Sequence, residues 1–141
     1  MLVLAFSSCK KEIKKTFVKI EERKPEIRFG YKIDDYKLIQ DTIEEGESFG
    51  TILDRHHIEY PKINQIASSV TEIFDVRRVR AGKPYTILAS KDSSEKAQVF
   101  IYKHDKINAT ILDFKDSIIT ASRFQKPIKV LEKEVNGIIN S

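Results

Sequence analysis

The run from Asp41 to Leu88, DTIEEGESFGTILDRHHIEYPKINQIASSVTEIFDVRRVRAGKPYTIL, changes its apolar period twice, and few folds accommodate such a switch. Tyr36, Leu38, Ile39, Thr42 and Ile43 read as a first strand that stops at Glu44-Glu45-Gly46-Glu47, where glycine can take the positive φ of a turn. Ser48 is suited to cap a helix, and Phe49, Ile52, Leu53 and His56 then recur at helical spacing. A second helix opens on Pro61 and carries Ile63, Ile66, Ala67, Val70, Ile73 and Phe74 on one stripe. Two apolar stripes need a common partner, which strands Tyr36 to Ile43 and Pro84 to Ser90 supply by pairing into a small sheet. The expectation is an α+β chain whose residues 35–92 form a βααβ unit.

Beyond the polar loop Lys91-Asp92-Ser93-Ser94-Glu95 the period becomes two, over Val99 to Tyr102, Ala109 to Phe114, Ser117 to Ala121 and Ile128 to Glu132. His104-Asp105-Lys106 and Lys115-Asp116 fit the intervening turns. Residues 93–141 thus read as a β-rich module. Each half is near the size at which a separate core is marginal, so the two are expected to pack together.

Charge narrows the partners. The formal net charge of +4 equals that of residues 10–24, where Lys10, Lys11, Lys14, Lys15, Lys19, Arg23 and Lys24 face Glu12, Glu21 and Glu22. From Pro25 onward acids and bases balance, so no basic face is expected and nucleic acid is not a predicted partner. Residues 10–34 read as a basic tether. Three roles for it stand side by side: contact with anionic lipid headgroups, a solvated linker, or a short amphipathic helix carrying Ile13, Phe17, Val18 and Ile20.

Ahead of the tether, Met1 to Phe6 is an apolar run followed by Ser7, Ser8 and Cys9, the only cysteine. This looks like the end of a bacterial lipoprotein signal, in which such a cysteine is acylated. The run lacks a basic flank and is shorter than the roughly 7–15 residues of a signal core, as a clipped or late-assigned start would be. The alternative is a free thiol. On the lipoprotein reading, residues 1–9 are a signal remnant and Cys9 anchors the chain in the cell envelope, lipid-anchored and facing the periplasm.

The opening Ile-Glu-Glu-Gly-Glu-Ser-Phe (43–49) and closing Arg-Ala-Gly-Lys-Pro-Tyr-Thr-Ile (80–87) resemble the LysM-like module in the amino-terminal half of lysostaphin-type (LytM family) peptidoglycan metallopeptidases. Residues 97–141, with Gln-Val-Phe-Ile-Tyr, Ile-Leu-Asp-Phe and Lys-Pro-Ile-Lys-Val, resemble the β region that follows in those proteins. The resemblance implies a peptidoglycan partner, held between Gly46, Glu47, Ser48 and Phe49 on one side and Arg80, Ala81, Gly82 and Lys83 on the other. Tyr85 is the remaining aromatic suited to stack on a sugar. It also implies that a zinc-bearing catalytic domain, in cis or in trans, would be a partner.

The chain itself offers no catalytic or metal set. The family's His-x-x-x-Asp and His-x-His ligand pairs are missing, and His56, His57 and His104 match neither. No serine lies in a nucleophile elbow, and Glu44, Glu45 and Glu47 are neighbours in one turn, which suits solvation better than glycoside chemistry. Arg77, Arg78, Arg80 and Lys83 are suited either to holding peptide-stem carboxylates or to pairing with Glu72 and Asp75. Three functional readings follow. The chain is the non-catalytic, wall-targeting or regulatory part of a peptidoglycan endopeptidase, truncated before its hydrolase; or a stand-alone lipoprotein that binds wall glycan or modulates a separate hydrolase; or a structural lipoprotein without a ligand.

Overall fold

The computed structural model describes residues 22–128. Cys9, the first part of the tether and most of the strand expected over Ile128 to Glu132 lie outside them. The described chain is a mixed α+β fold with two helices and two β-sheets.

It begins with a hairpin of β1 (Ile27–Arg28) and β2 (Tyr31–Lys32). Phe29 and Gly30, at φ 54° and 82°, supply the two left-handed residues that a tight hairpin turn requires. Strand β3 (Lys37–Thr42) follows, and beyond it Gly46, at φ 83°, makes the expected turn. Helix α1 (Phe49–Arg55) starts in a reciprocal cap: the Thr51 N–H donates to Ser48 Oγ at 3.2 Å and the Ser48 N–H donates to Thr51 Oγ1 at 2.9 Å.

Helix α2 (Tyr60–Val70), with Pro61 in its first turn, buries Ile63, Ile66 and Val70. The expected stripe breaks at its end. The N–H groups of Ile73 and Phe74 both donate to the Val70 carbonyl, and in this tight turn Phe74 remains buried while Ile73 swings outward to 44% exposure.

Strands β4 (Pro84–Ala89), β5 (Ala97–Lys103), β6 (Asn108–Asp113) and β7 (Thr120–Gln125) complete one antiparallel sheet in the order β3-β4-β5-β6-β7. The β4–β5 ladder joins the two expected halves, so residues 35–92 and the strands after them share a sheet. Strand β7 lies later than the expected Ser117 to Ala121. Its register sets Ala121 against Leu112 and Phe124 against Ala109, which leaves Ile118 outside the ladder and 77% exposed.

Both sheet faces are buried, each by a different layer. The helices cover Ile87 and Ala89 of β4, Phe100 and Tyr102 of β5 and Leu112 of β6, together with Phe49, Ile52, Leu53, Ile58, Ile63, Ile66 and Val70 from their own side. On the opposite face Leu88, Val99, Ile101, Ala109 and Ile111 pack with Ile33, and Phe29, Tyr31, Tyr36, Leu38 and Phe124 close the layer. This double cover explains why β4 to β6 are buried at nearly every position and not only at alternate ones.

The second layer corrects the expectation of a tether reaching to residue 34. Residues 27–33 are part of the fold: the Tyr31 hydroxyl donates to Asp113 Oδ2 at 2.7 Å, and the Phe29 and Phe124 rings meet edge-on at 5.1 Å. Partial burial, reinforced by the Asp113 carboxylate, pushes the Tyr31 hydroxyl pKa up, so this hydrogen bond persists through the neutral range.

Candidate functional site

Cross-strand register aligns Asp41, Tyr85, Tyr102, Thr110 and Arg123 in one row on the helix-covered face. The neighbouring row, Ile39, Ile87, Phe100, Leu112 and Ala121, is wholly apolar. The polar row therefore runs beside the apolar one on the same face, with Tyr85, Tyr102 and Thr110 buried in it.

Toward β7 that row opens into a cleft of about 640 Å³. Phe74, Tyr102 and His104 give it aromatic surface, with the His104 ring 4.9 Å from Tyr102 and 6.1 Å from Phe74, edge-on in both cases. His104 Nε2 and Thr110 Oγ1 share a 2.7 Å hydrogen bond that holds the imidazole. Four cations line the cleft, Arg78, Arg80, Lys83 and Arg123, against two acids, Glu72 and Asp75.

Those cations are not equally available. Arg77, beside the cleft, grips Asp75 through two hydrogen bonds of 3.0 and 3.1 Å, which hold the Asp75 carboxyl below its usual range, and Arg78 lies 3.8 Å from the same carboxylate. Of the two roles open to this cluster, pairing with Asp75 thus takes Arg77 and Arg78. Lys83 donates its ammonium to the His104 carbonyl at 2.6 Å. Among the described residues, the guanidinium groups of Arg80 and Arg123 have no ion pair and are exposed. The Arg80 N–H donates to the Tyr102 hydroxyl at 3.3 Å, so that hydroxyl keeps its own proton to donate.

The Arg80–Lys83 loop is tied to Ile43, at the end of β3 ahead of the Gly46 turn. The Gly82 N–H donates to the Ile43 carbonyl at 2.8 Å, and the Ile43 N–H donates to the Lys83 carbonyl at 2.9 Å. Gly82, at φ 84°, makes the turn. Most of the expected contact residues, however, have structural work. Glu47 accepts from the Glu44 N–H at 2.8 Å and pairs with Arg55, Ser48 caps α1, and Phe49 is buried edge-on against Phe100 at 5.2 Å.

Tyr85 requires a correction. It is 1% exposed and stacked on Phe100 at 5.6 Å, so it has no free face for a sugar. Its hydroxyl has no hydrogen-bond partner among the described residues, and burial, followed by the nearby Asp41 charge, raises its pKa.

Arg123, Tyr102, Thr110 and His104 were missed as site residues from the sequence. Their alignment depends on pairings between strands, and the available signal was only that Tyr102 and Thr110 each sit within an alternating segment, while Arg123 lies outside every segment read as a strand.

The β5–β6 turn follows His104 at the edge of the cleft and is braced by the Asp105 side chain. Asp105 accepts from the N–H groups of Ile107 and Asn108, both at 2.7 Å, and from Asn108 Nδ2 at 2.9 Å. These donors, that side chain first, lower its pKa to about 2 from 3.8. The folded carboxyl binds protons less readily than the unfolded one, so its contribution is complete above 3.8 and is lost as pH falls through that value toward about 2. Amide shifts of Ile107 and Asn108 are accordingly expected to hold through pH 3.8 and to move near 2. A midpoint at the ordinary carboxylate value would show that these bonds do not form in solution.

Among the described residues no three His, Cys, Asp or Glu side chains are placed to hold a metal ion. His56 caps the end of α1, His57 follows it, and His104 faces aromatic rings and a threonine, a set that does not fit zinc.

No protein-family model matches the chain, and no curated protein matches it. Among solved structures it is similar to a zinc-containing peptidase from Vibrio cholerae, with a TM-score of 0.53 and 14% identity over 62% of this chain. The likeness covers 26% of that protein's length. At this identity it establishes a shared fold over that part.

Proposed function

We propose that the chain is a non-catalytic, wall-targeting or regulatory module of the lysostaphin-type (LytM) peptidoglycan metallopeptidases, and that its βααβ unit is LysM-like. The observation that carries this reading is the Arg80–Lys83 loop, tied to the end of β3 through the Ile43 backbone, with Arg80 exposed beside an open cationic cleft. The fold shared with part of a zinc-containing peptidase supports it, as does a described region without a metal-binding cluster. In the same proposal Cys9 holds the chain to the membrane of the cell envelope, and the hydrolase acts in cis or in trans.

Co-sedimentation of the full chain with insoluble peptidoglycan tests the reading, with an unrelated protein of similar size and charge as control. Specific retention is expected. Arg80→Ala combined with Lys83→Ala should weaken it about tenfold or more, since hydrogen bonds to charged groups contribute roughly 1.5–3 kcal/mol. The melting temperature should not change, because the Arg80 guanidinium has no ion-pair partner among the described residues and Lys83 bonds only a turn carbonyl. Equal retention of wild type and double variant would remove the groove assignment.

A further inference from the structure

We propose that the cleft between Arg80 and Arg123 recognises the free carboxylate at the end of a short peptide. The inference rests on the wall-binding reading for the origin of that peptide, while the site itself stands on its own geometry.

Two arginines without ion-pair partners among the described residues line one cleft from different parts of the sheet, Arg80 from the loop entering β4 and Arg123 from β7. Guanidinium forks match a planar carboxylate through paired N–H donors. Between them the Tyr102 hydroxyl, held by the Arg80 N–H, has a proton to give, and Thr110 and His104 fix the adjoining floor. The acids do not cancel this arrangement: Asp75 is committed to Arg77, which leaves Glu72 against Arg80, Arg123 and a shared Arg78.

The surroundings favour a peptide end over a bare anion. Buried Phe74 and half-exposed Ile73 border the cationic groups, which gives a small apolar side chain next to the carboxylate a surface to rest on. The volume of about 640 Å³ is also far larger than one anion requires.

Titration of the full chain with acetyl-dialanine, in L and D forms, as free acid and as carboxamide, tests the proposal by amide chemical shifts, with inorganic phosphate as a further arm. The free acid of at least one enantiomer should bind saturably and move the Tyr102, Thr110 and Arg123 amides. The carboxamide should bind at least tenfold more weakly. Arg123→Gln should weaken the free acid about tenfold, and Arg123→Lys should not restore it, since lysine keeps the charge but loses the fork. Absence of saturation, equal binding of acid and carboxamide, or phosphate binding tighter than the free acid would overturn the site. Carboxylate binding by a chain that does not sediment with wall material would keep this site and remove the wall reading. Wall retention unaffected by Arg123→Gln and by excess free acid would do the reverse.

Discussion

Replacing Phe100 with alanine is expected to remove about 3–5 kcal/mol of folding stability, the usual cost of excising a large aromatic from a packed core. Phe100 is fully buried at the centre of the helix-covered face. Ile87 and Leu112 flank it on the neighbouring strands, and Phe49 from α1 and Tyr85 from β4 contact its ring. These neighbours come from three elements, β4, β6 and α1, so no single side-chain rotation can fill the space. A small domain has only about 5–15 kcal/mol of net stability, so the variant should lose a large fraction of it. Urea denaturation reads the effect directly, and a loss below about 1 kcal/mol would mean that the aromatic cluster is looser than drawn.

Removal of the amino-terminal hairpin should be about as damaging. A chain beginning at Asp35, where the sequence places the start of the folded part, lacks Phe29, Tyr31 and Ile33 and uncovers Leu88, Val99, Ile101 and Ile111. Withdrawing three side chains, two of them only partly buried, costs about 3–6 kcal/mol at the usual area scale. The bared face is also a contiguous apolar patch of the kind that drives association. Relative to a chain beginning at Glu22, the shorter one is expected to show a lower denaturation midpoint, to bind hydrophobic dye and to aggregate. Matching midpoints and monomeric elution of both would show that the hairpin is dispensable.

The hairpin was illegible in the sequence for a physical reason. Its turn uses Phe29 at φ 54°, a residue type that carries no turn signal, and its strands have two residues each. Signals that act within a few residues read well. Gly46 made a turn, Ser48 capped a helix, Pro61 opened another, and the pairing of β3 with β4 followed from the stripes they had to cover. What depended on distant partners did not read. Tyr85 was taken for a surface aromatic because alternation alone cannot tell a sheet buried on both faces from one that is half wet. The polar row from Asp41 to Arg123 exists only once four registers are set. Of the cleft, Arg80 and Lys83 were visible beforehand as a cationic loop, whereas Arg123, Tyr102 and His104 were not.

Strand order in the main sheet is the order of the chain, and every pairing within it is antiparallel between successive strands. No strand waits for one made much later, and the longest closure in the sheet is that spanning the two helices. Rates of folding fall as contacts become more distant along the chain. This sheet can therefore grow one ladder at a time in the direction of synthesis, with β3 and β4 able to pair before β7 has been made.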